Sequence, residues 1–159
     1  MKITILSCGD IKEKYFIDAI NEYKKRLSKY TDVILTKVKD EAIVDNPSQA
    51  EIDKVKRIEG ERLIKAIPSN NYVIVLDLKG VMLSSEELAA KMSEIFTYNS
   101  ANITFIIGGS LGLSKEVIDK ANYRLCFSKM TFPHKLMQVI LLEQIYRAFK
   151  INNNETYHK

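Results

Sequence analysis

The last three residues of the chain carry side chains that could act on a nucleic acid. Tyr157 offers a ring for stacking, His158 an imidazole that can accept or donate a proton, and Lys159 a cation that binds phosphate. A polar chain terminus is usually frayed, however, and fraying accounts for these residues as well. The residue types alone leave both interpretations open.

A glycine-rich segment offers a second place for chemistry. Gly108, Gly109 and Gly112 lie between an apolar run and a helical pattern. Glycine lets the backbone approach a ligand closely, and α/β folds bind ligands at the carboxyl ends of parallel strands. The spacing is not GxGxxG and the first predicted strand lacks a phosphate loop, which disfavours an ordinary nucleotide-binding fold. A glycine-rich turn without a ligand is the alternative.

A third segment, residues 127–134, reads FSKMTFPH. Its two aromatic residues flank a polar stretch that runs into a predicted helix N-terminus, where backbone N–H groups are free. Such a loop could hold an adenine-like ring. His134, at the helix start, is more typical of a capping or surface residue than of a catalyst. The two histidines are far apart and no cysteines or carboxylates cluster, so we expect no metal site.

Short β-branched runs alternate with longer helical patterns along the chain. Strands are predicted at 2–7, 33–38, 72–78, 103–107 and 123–127, and helices at 12–30, 48–67, 84–98, 114–121 and 133–151. A capping box of Ser84 and Glu87 opens the third helix. This alternation predicts an α/β fold with a mainly parallel sheet and helices on both faces. We predict a single domain, residues 1–159.

The last predicted helix carries more apolar positions than one stripe against a sheet requires. They are Leu136, Met137, Val139, Ile140, Leu141, Leu142, Ile145, Tyr146, Ala148, Phe149 and Ile151. A second copy of the chain would cover the additional face, because two-fold homodimers are the commonest oligomers. Burial within one subunit is the alternative.

Composition and charge narrow the class of protein. Hydrophobic residues are 46% and charged residues 28%, which is typical of globular proteins and not of disordered ones. No apolar run is long enough for a signal peptide or membrane span, and Cys8 and Cys126 indicate free thiols, so we predict a cytoplasmic protein. Residues 114–159 hold 8 Lys and Arg against 4 Asp and Glu. This basic bias suits a nucleic-acid partner and a solvated surface equally.

Five segments together resemble the ribosomal RNA large subunit methyltransferase H family of the SPOUT superfamily. They are LDLKG (76–80), FIIGGSLGL (105–113), FSKMTFPH (127–134), LLEQIYRAFKI (141–151) and the terminal YHK (157–159). The resemblance spans the whole chain. It implies methylation of N3 of a pseudouridine in large-subunit (23S) ribosomal RNA, with S-adenosylmethionine as cofactor and the assembled ribosome as the expected substrate.

The resemblance also implies a fold and a set of site residues. The fold would contain a C-terminal trefoil knot that holds the cofactor, and the protein would act as a homodimer without a metal. The implied cofactor contacts are Leu76, Gly108, Gly109, Gly112, Phe127, Ser128, Lys129, Met130, Thr131 and Phe132. His158 would be the base or orient the nucleobase, and Tyr157 would stack on or hydrogen-bond it. Arg147 and Lys159 would bind phosphate, and His134 would position the cofactor loop or the RNA.

Two positions depart from the pattern of that family. Leu111 stands where relatives usually carry Asn, Asp or Glu, and Asn152, Asn153 and Asn154 stand where a basic residue and a glycine are usual. The departures leave open a SPOUT-fold protein that binds RNA or the ribosome without turnover. A small-molecule nucleotide-binding enzyme built on the Gly108 turn is a further alternative, which the missing phosphate loop disfavours.

Overall fold

A five-stranded parallel sheet forms the centre of the molecule in the computed structural model, which describes residues 1–159. The strands are β1 (Lys2–Cys8), β2 (Asp32–Val38), β3 (Tyr72–Met82), β4 (Asn102–Ile107) and β5 (Tyr123–Cys126). Their order is β2-β1-β4-β3-β5, and every neighbouring pair is parallel. The predicted α/β class with a mainly parallel sheet is therefore confirmed.

Five α-helices cover both faces of the sheet. They are α1 (Lys14–Leu27), α2 (Gln49–Ala66), α3 (Ser85–Glu94), α4 (Lys115–Asp119) and α5 (His134–Asn152). The larger apolar core lies between the sheet and α1, α3 and α5, and the smaller core lies on the opposite face against α2 and α4. Capping boxes at Ser48 and Ser84 satisfy backbone N–H groups where α2 and α3 begin.

Two elements end four residues away from their predicted bounds, and the others agree more closely. The strand predicted at 72–78 continues to Met82, because β3 pairs with β5 a second time after an irregularity between Leu76 and Val81. The helix predicted at 84–98 is α-helical only to Glu94 and ends in a π-helical turn, Ile95–Asn99. The irregularity in β3 displaces residues 77–80 from the strand pairing, and Asp77, Leu78 and Lys79 line a cleft at the edge of the sheet.

Helix α5 is covered largely within the subunit. Its buried residues are Met137, Gln138, Leu141, Leu142, Ile145, Ala148 and Phe149. It packs against both α1 and α3 on the same face of the sheet. Flanking helices thus account for much of the apolar surface that a second copy was expected to cover, while Leu136 and Ile140 stay half-buried.

The order of the strands determines where a site can form. Strands β4, β3 and β5 are adjacent and parallel, so their carboxyl ends lie at one edge of the sheet. The glycine-rich segment follows β4, and the segment 127–133 follows β5. None of the helices is both long and apolar enough to span a membrane.

Candidate functional site

A cleft of about 1120 Å³ lies at this carboxyl edge. Nine of the ten residues expected to contact the cofactor line it: Leu76, Gly108, Gly109, Gly112, Phe127, Ser128, Met130, Thr131 and Phe132. Lys129 does not line the cleft, and its side chain is exposed. Three segments that are distant in sequence therefore meet around one cavity.

The glycine-rich turn forms one wall of the cleft. The Gly112 N–H donates to the Gly109 carbonyl at 3.0 Å, which closes the turn. Gly112 has φ +86°, a left-handed conformation that favours glycine, and a Cβ built on it would have no atom within 4 Å. The turn thus presents bare backbone to an open space.

A buried carboxylate supports this turn from the other side. Glu59 of α2 is only 4% exposed, and its Oε1 accepts a hydrogen bond from the Glu41 N–H at 3.2 Å. A Cβ added at Gly109 would lie 2.6 Å from Glu59 Oε2. Burial and the neighbouring Glu59 raise the pKa of the Cys8 thiol to about 12, so Cys8 stays protonated and unreactive. Sequence reasoning missed Glu59, for which the only signal was its spacing of four residues from the buried Leu63.

An ion pair on the opposite side of the cleft joins β3 to β5. Arg124 Nε donates to Asp77 Oδ2 at 2.8 Å, and its Nη2 contacts the same oxygen. Both residues line the cleft, as do Lys56 and Lys79, for which the structure shows no ion pair. The rim therefore carries unpaired positive charge, which favours an anionic partner. None of these four residues was singled out from sequence, because only tertiary packing brings α2, β3 and β5 together here.

His134 and Leu111 also line the cleft. His134 is the first residue of α5, and Leu111 lies half-buried in the glycine-rich turn. His134 is thus close to the expected cofactor loop, and its role in positioning that loop or the RNA stays a prediction. No three side chains of the metal-binding types His, Cys, Asp and Glu are grouped so that they could hold a metal ion.

The C-terminal tail is ordered against α5 by a second cluster. Glu143 accepts hydrogen bonds from Arg147 Nη2 at 2.6 Å and from the Tyr157 hydroxyl at 3.1 Å. The Arg147 guanidinium lies 4.8 Å from the centre of the Tyr157 ring. Burial and the hydrogen bond to Glu143 raise the pKa of Tyr157 to about 12, so its hydroxyl remains a donor at neutral pH. The frayed-end interpretation of the tail is therefore wrong.

His158 joins this cluster through both of its ring nitrogens. Nδ1 lies 3.2 Å from Arg147 Nη1, and Nε2 lies 2.7 Å from Glu86 Oε1 at the start of α3. Lys159 is exposed at the end of the chain. Arg147, Tyr157 and His158 were identified from the sequence, but Glu86 and Glu143 were not. An acidic residue on a helix is usually solvent-exposed, so the sequence contained no indication that these two contact the tail.

The cleft and the tail cluster are separate within one chain. None of Arg147, Tyr157 and His158 lines the cleft. These three residues form one cluster and the candidate cofactor contacts form another, and the two groups are separate. A chemical step that needs both groups requires a second chain or a large movement of the tail.

Comparisons with known proteins agree with this architecture. The family model described as "Predicted SPOUT methyltransferase" matches residues 1–158. Relatives named ribosomal RNA large subunit methyltransferase H are similar over 159 residues, 100% of both chains: 54% identical in Clostridium novyi (strain NT), 53% in Clostridium botulinum (strain Alaska E43 / Type E3) and 52% in Ruminiclostridium cellulolyticum.

A solved structure supports the fold alone. The structure of a probable methylase family protein from Haemophilus influenzae Rd KW20 matches with a TM-score of 0.52 at 16% identity, and the match covers 99% of this chain and 70% of that one. The family suggested by the five sequence segments is confirmed by the full-length match of the family model. The chain belongs to the SPOUT methyltransferase family.

Proposed function

We propose that this protein transfers a methyl group from S-adenosylmethionine to N3 of a pseudouridine in large-subunit ribosomal RNA. The observation that carries the proposal is the single cleft lined by nine of the ten expected cofactor residues. The names of the full-length relatives support ribosomal RNA as the substrate. The basic bias of residues 114–159 and the positive rim of the cleft agree with a phosphate-rich partner.

The residues present fit the proposed cofactor. The Gly108–Gly112 turn lines the cleft with backbone, and a Cβ built on Gly112 would have no atom within 4 Å, so there is open space beside the turn. Opposite the turn, Phe127 and Phe132 offer apolar surface for an adenine ring, and backbone groups of the same segment can donate and accept hydrogen bonds. The bound cofactor would supply a methyl group on a sulfonium, which leaves readily.

The chain itself must then make N3 of the pseudouridine nucleophilic. The imide N3–H has to lose its proton, and a positioned base contributes about 10² to 10⁴ in rate. His158 is our candidate for this base, and Tyr157 would stack on or hydrogen-bond the nucleobase. Arg147 and Lys159 would bind phosphate, and His134 at the cleft would position the loop or the RNA.

We further propose that the working unit is a homodimer in which the tail of one chain completes the cleft of its partner. The cleft and the tail cluster are separate within one chain, so one chain does not complete the reaction alone. Large apolar side chains are exposed at the cleft, where Leu78 is 58% exposed and Met130 is 73% exposed. A second copy of the chain would cover this surface and bring its own His158 to it.

The expected substrate is the assembled ribosome in the cytoplasm. A net charge of only +4 gives a small protein little nonspecific affinity for RNA, so ribosomal surface would help to position it. Leu111 favours one competing function. An apolar side chain in the cleft lacks the polar contact that relatives usually have near the reacting methyl, which is consistent with an RNA-binding protein without turnover.

Transfer of a labelled methyl group tests the proposal. Ribosomes that lack the modification, separated subunits and bare RNA are each incubated with the protein and labelled S-adenosylmethionine, and mass spectrometry identifies the labelled nucleotide. We expect label on a pseudouridine of the large-subunit RNA, with assembled ribosomes the best substrate. Cofactor binding without any label would overturn the enzymatic proposal and leave the RNA-binding function.

The variant His158→Ala tests the proposed base. It should bind the cofactor as the unmodified protein does and lose about 10² or more in turnover. Full turnover in this variant would remove His158 from the mechanism.

A further inference from the structure

The two ring nitrogens of His158 have chemically different partners. Arg147 Nη1 lies 3.2 Å from Nδ1, and an arginine guanidinium has donors but no acceptor. Nδ1 must therefore accept this hydrogen bond with its lone pair. The proton of the neutral ring then lies on Nε2, which donates to Glu86 Oε1 at 2.7 Å. The contacts on the two sides select one tautomer of His158.

Both partners are themselves held in place. Glu143 accepts hydrogen bonds from Arg147 Nε at 3.1 Å and Nη2 at 2.6 Å, so the guanidinium has a defined orientation. Glu86 lies in the first turn of α3, between Ser84 and Glu87 of the capping box. Its backbone N–H and the contact with His158 hold the pKa of Glu86 below its usual value, so the acceptor is ionised at neutral pH. Tyr157 and Lys159 are the remaining polar neighbours of His158 along the tail.

We propose that Glu86 is a positioning residue that holds His158 as the Nε2–H tautomer and leaves Nδ1 as its proton-accepting atom. The assignment of the tautomer depends only on the contacts above. Its meaning for catalysis rests on the proposed function, in which His158 removes the imide proton. Glu86 plays the part that a carboxylate plays behind a catalytic histidine in other enzymes, where it orients the ring and stabilises the imidazolium.

The proposed proton transfer proceeds at Nδ1. Arg147 moves from Nδ1 toward substrate phosphate, the N3–H bond of the base breaks, and an Nδ1–H bond forms, with the electron pair left on N3. The ring then carries protons on both nitrogens, and its positive charge faces the Glu86 carboxylate. Without Glu86 the ring is held only by Arg147, which leaves Nδ1 in this step, so the ring is then free to rotate or to change tautomer.

Nuclear magnetic resonance tests the tautomer without any assay of activity. The chain has only two histidines, so long-range ¹H–¹⁵N correlations of the ¹⁵N-labelled protein show two ring patterns, and the His158→Ala variant assigns them. Above neutral pH, without cofactor or RNA, we expect the Nε2–H pattern for His158. An Nδ1–H pattern, or rapid averaging of both tautomers, would overturn the proposal.

Three variants separate positioning from simple packing. Glu86→Ala should raise the Nδ1–H fraction of His158, because only Arg147 then disfavours that tautomer, whereas Glu86→Gln, which keeps an acceptor oxygen, should retain the Nε2–H pattern. Glu94→Ala removes an exposed carboxylate at the other end of α3, where it pairs with Lys91, and should leave His158 unchanged. An unchanged His158 pattern in Glu86→Ala would contradict the inference.

Measurements of turnover then test whether Glu86 contributes to catalysis through His158. In Glu86→Ala we expect kcat to fall about tenfold or more, with unchanged affinity for S-adenosylmethionine and with partial recovery in Glu86→Gln. Equal turnover in all three variants would overturn the positioning role even if the tautomer is as expected. If the unmodified protein transfers no methyl group, the proposed function fails, while the tautomer measurement still decides the structural part.

Discussion

At Gly109, the buried Glu59 side chain determines which residue the chain can carry. Glu59 Oε2 would lie 2.6 Å from a Cβ at this position, closer than real Cβ contacts allow. Glu59 has little freedom to move, because it is 4% exposed and accepts a hydrogen bond from the Glu41 backbone. A side chain at Gly109 would therefore push the turn into the cleft and away from its present geometry.

We predict that Gly109→Ala weakens S-adenosylmethionine binding by about tenfold or more, since overpacking costs about 1–3 kcal/mol and 1.4 kcal/mol is tenfold in affinity. Isothermal titration calorimetry measures the effect. Ser69→Ala is the control, because Ser69 is exposed and does not line the cleft, and it should bind the cofactor normally. Equal affinity in the two variants would show that the turn does not hold the cofactor.

At the scale of the elements, the end of α5 explains one departure of the tail from the family pattern. Asn154 has φ +53°, its N–H donates to the Ile151 carbonyl at 3.0 Å, and the Glu155 N–H donates to the Lys150 carbonyl at 2.9 Å. This is a Schellman motif, in which glycine is the usual residue and asparagine the common substitute. Asn154 thus preserves the helix end that a glycine would provide, and the tail leaves α5 toward α3.

We predict that Asn154→Ala lowers the free energy of unfolding by about 1 kcal/mol, because alanine tolerates a left-handed backbone less well than asparagine. Asn154→Gly should be as stable as the unmodified chain or slightly more stable. Urea unfolding at fixed protein concentration measures both, with Thr156→Ala in the exposed tail as the control. A loss in Asn154→Gly equal to that in Asn154→Ala would contradict the backbone explanation.

The next residue, Glu155, joins the tail to α5 and to the turn that follows α1. Glu155 accepts hydrogen bonds from Lys150 Nζ at 2.6 Å and from the Tyr30 hydroxyl at 2.8 Å, and these lower its pKa to about 2. A lowered pKa in the folded state means that the stabilisation is present above the ordinary carboxyl pKa of 4.5 and is lost as pH falls toward 2.

We therefore predict that Glu155→Gln is less stable than the unmodified chain at pH 6 and that the difference shrinks steadily as pH falls below 4.5. Urea unfolding of both proteins at several pH values between about 6 and 3 gives the difference in their free energies of unfolding. The titration of the other carboxylates is common to both proteins and drops out of this difference. A difference that stays constant with pH would show that the Glu155 charge does not contribute.

At the scale of the whole molecule, the proposed site is divided. The cleft lies at the carboxyl edge of the sheet, while Arg147, Tyr157 and His158 lie on α5 and the tail without lining it. Membership of the SPOUT family implies the C-terminal trefoil knot that the resemblance led us to expect. A dimer in which each tail serves the partner's cleft would reconcile this division with a single chemical step.

Heterodimers test that arrangement. We predict that a purified heterodimer of one His158→Ala chain and one Gly109→Val chain has about half the turnover of the unmodified dimer, since one cleft and one tail remain intact on opposite chains. Both parent homodimers should be inactive at the same cofactor concentration.

The control combines both substitutions in one chain and pairs it with an unmodified chain. If tails act on the partner's cleft, this heterodimer has no complete site and should be inactive. If each tail instead acts on its own cleft, the control heterodimer should be active and the first heterodimer inactive. That result would contradict the proposed dimer.

Local patterns were sufficient for much of the fold. Strands and helices were predicted close to their observed bounds, because hydrophobic periodicity and the Ser84–Glu87 capping box are properties of neighbouring residues. The continuation of β3 to Met82 was not predictable, since it depends on pairing with β5, more than forty residues later in the chain. The π-helical turn after Glu94 likewise had no local signal.

The amino-acid sequence by itself determined the family, the fold class and the residues that could do chemistry, because glycines, aromatics and the terminal YHK can be recognised without a neighbour in space. Tertiary structure alone decided that Glu59 lies behind Gly109 and that Glu86 and Arg147 hold opposite sides of His158. It also decided that the tail does not line the cleft of its own chain. These are contacts between elements far apart along the chain, and they arise only when the sheet and its helices pack together.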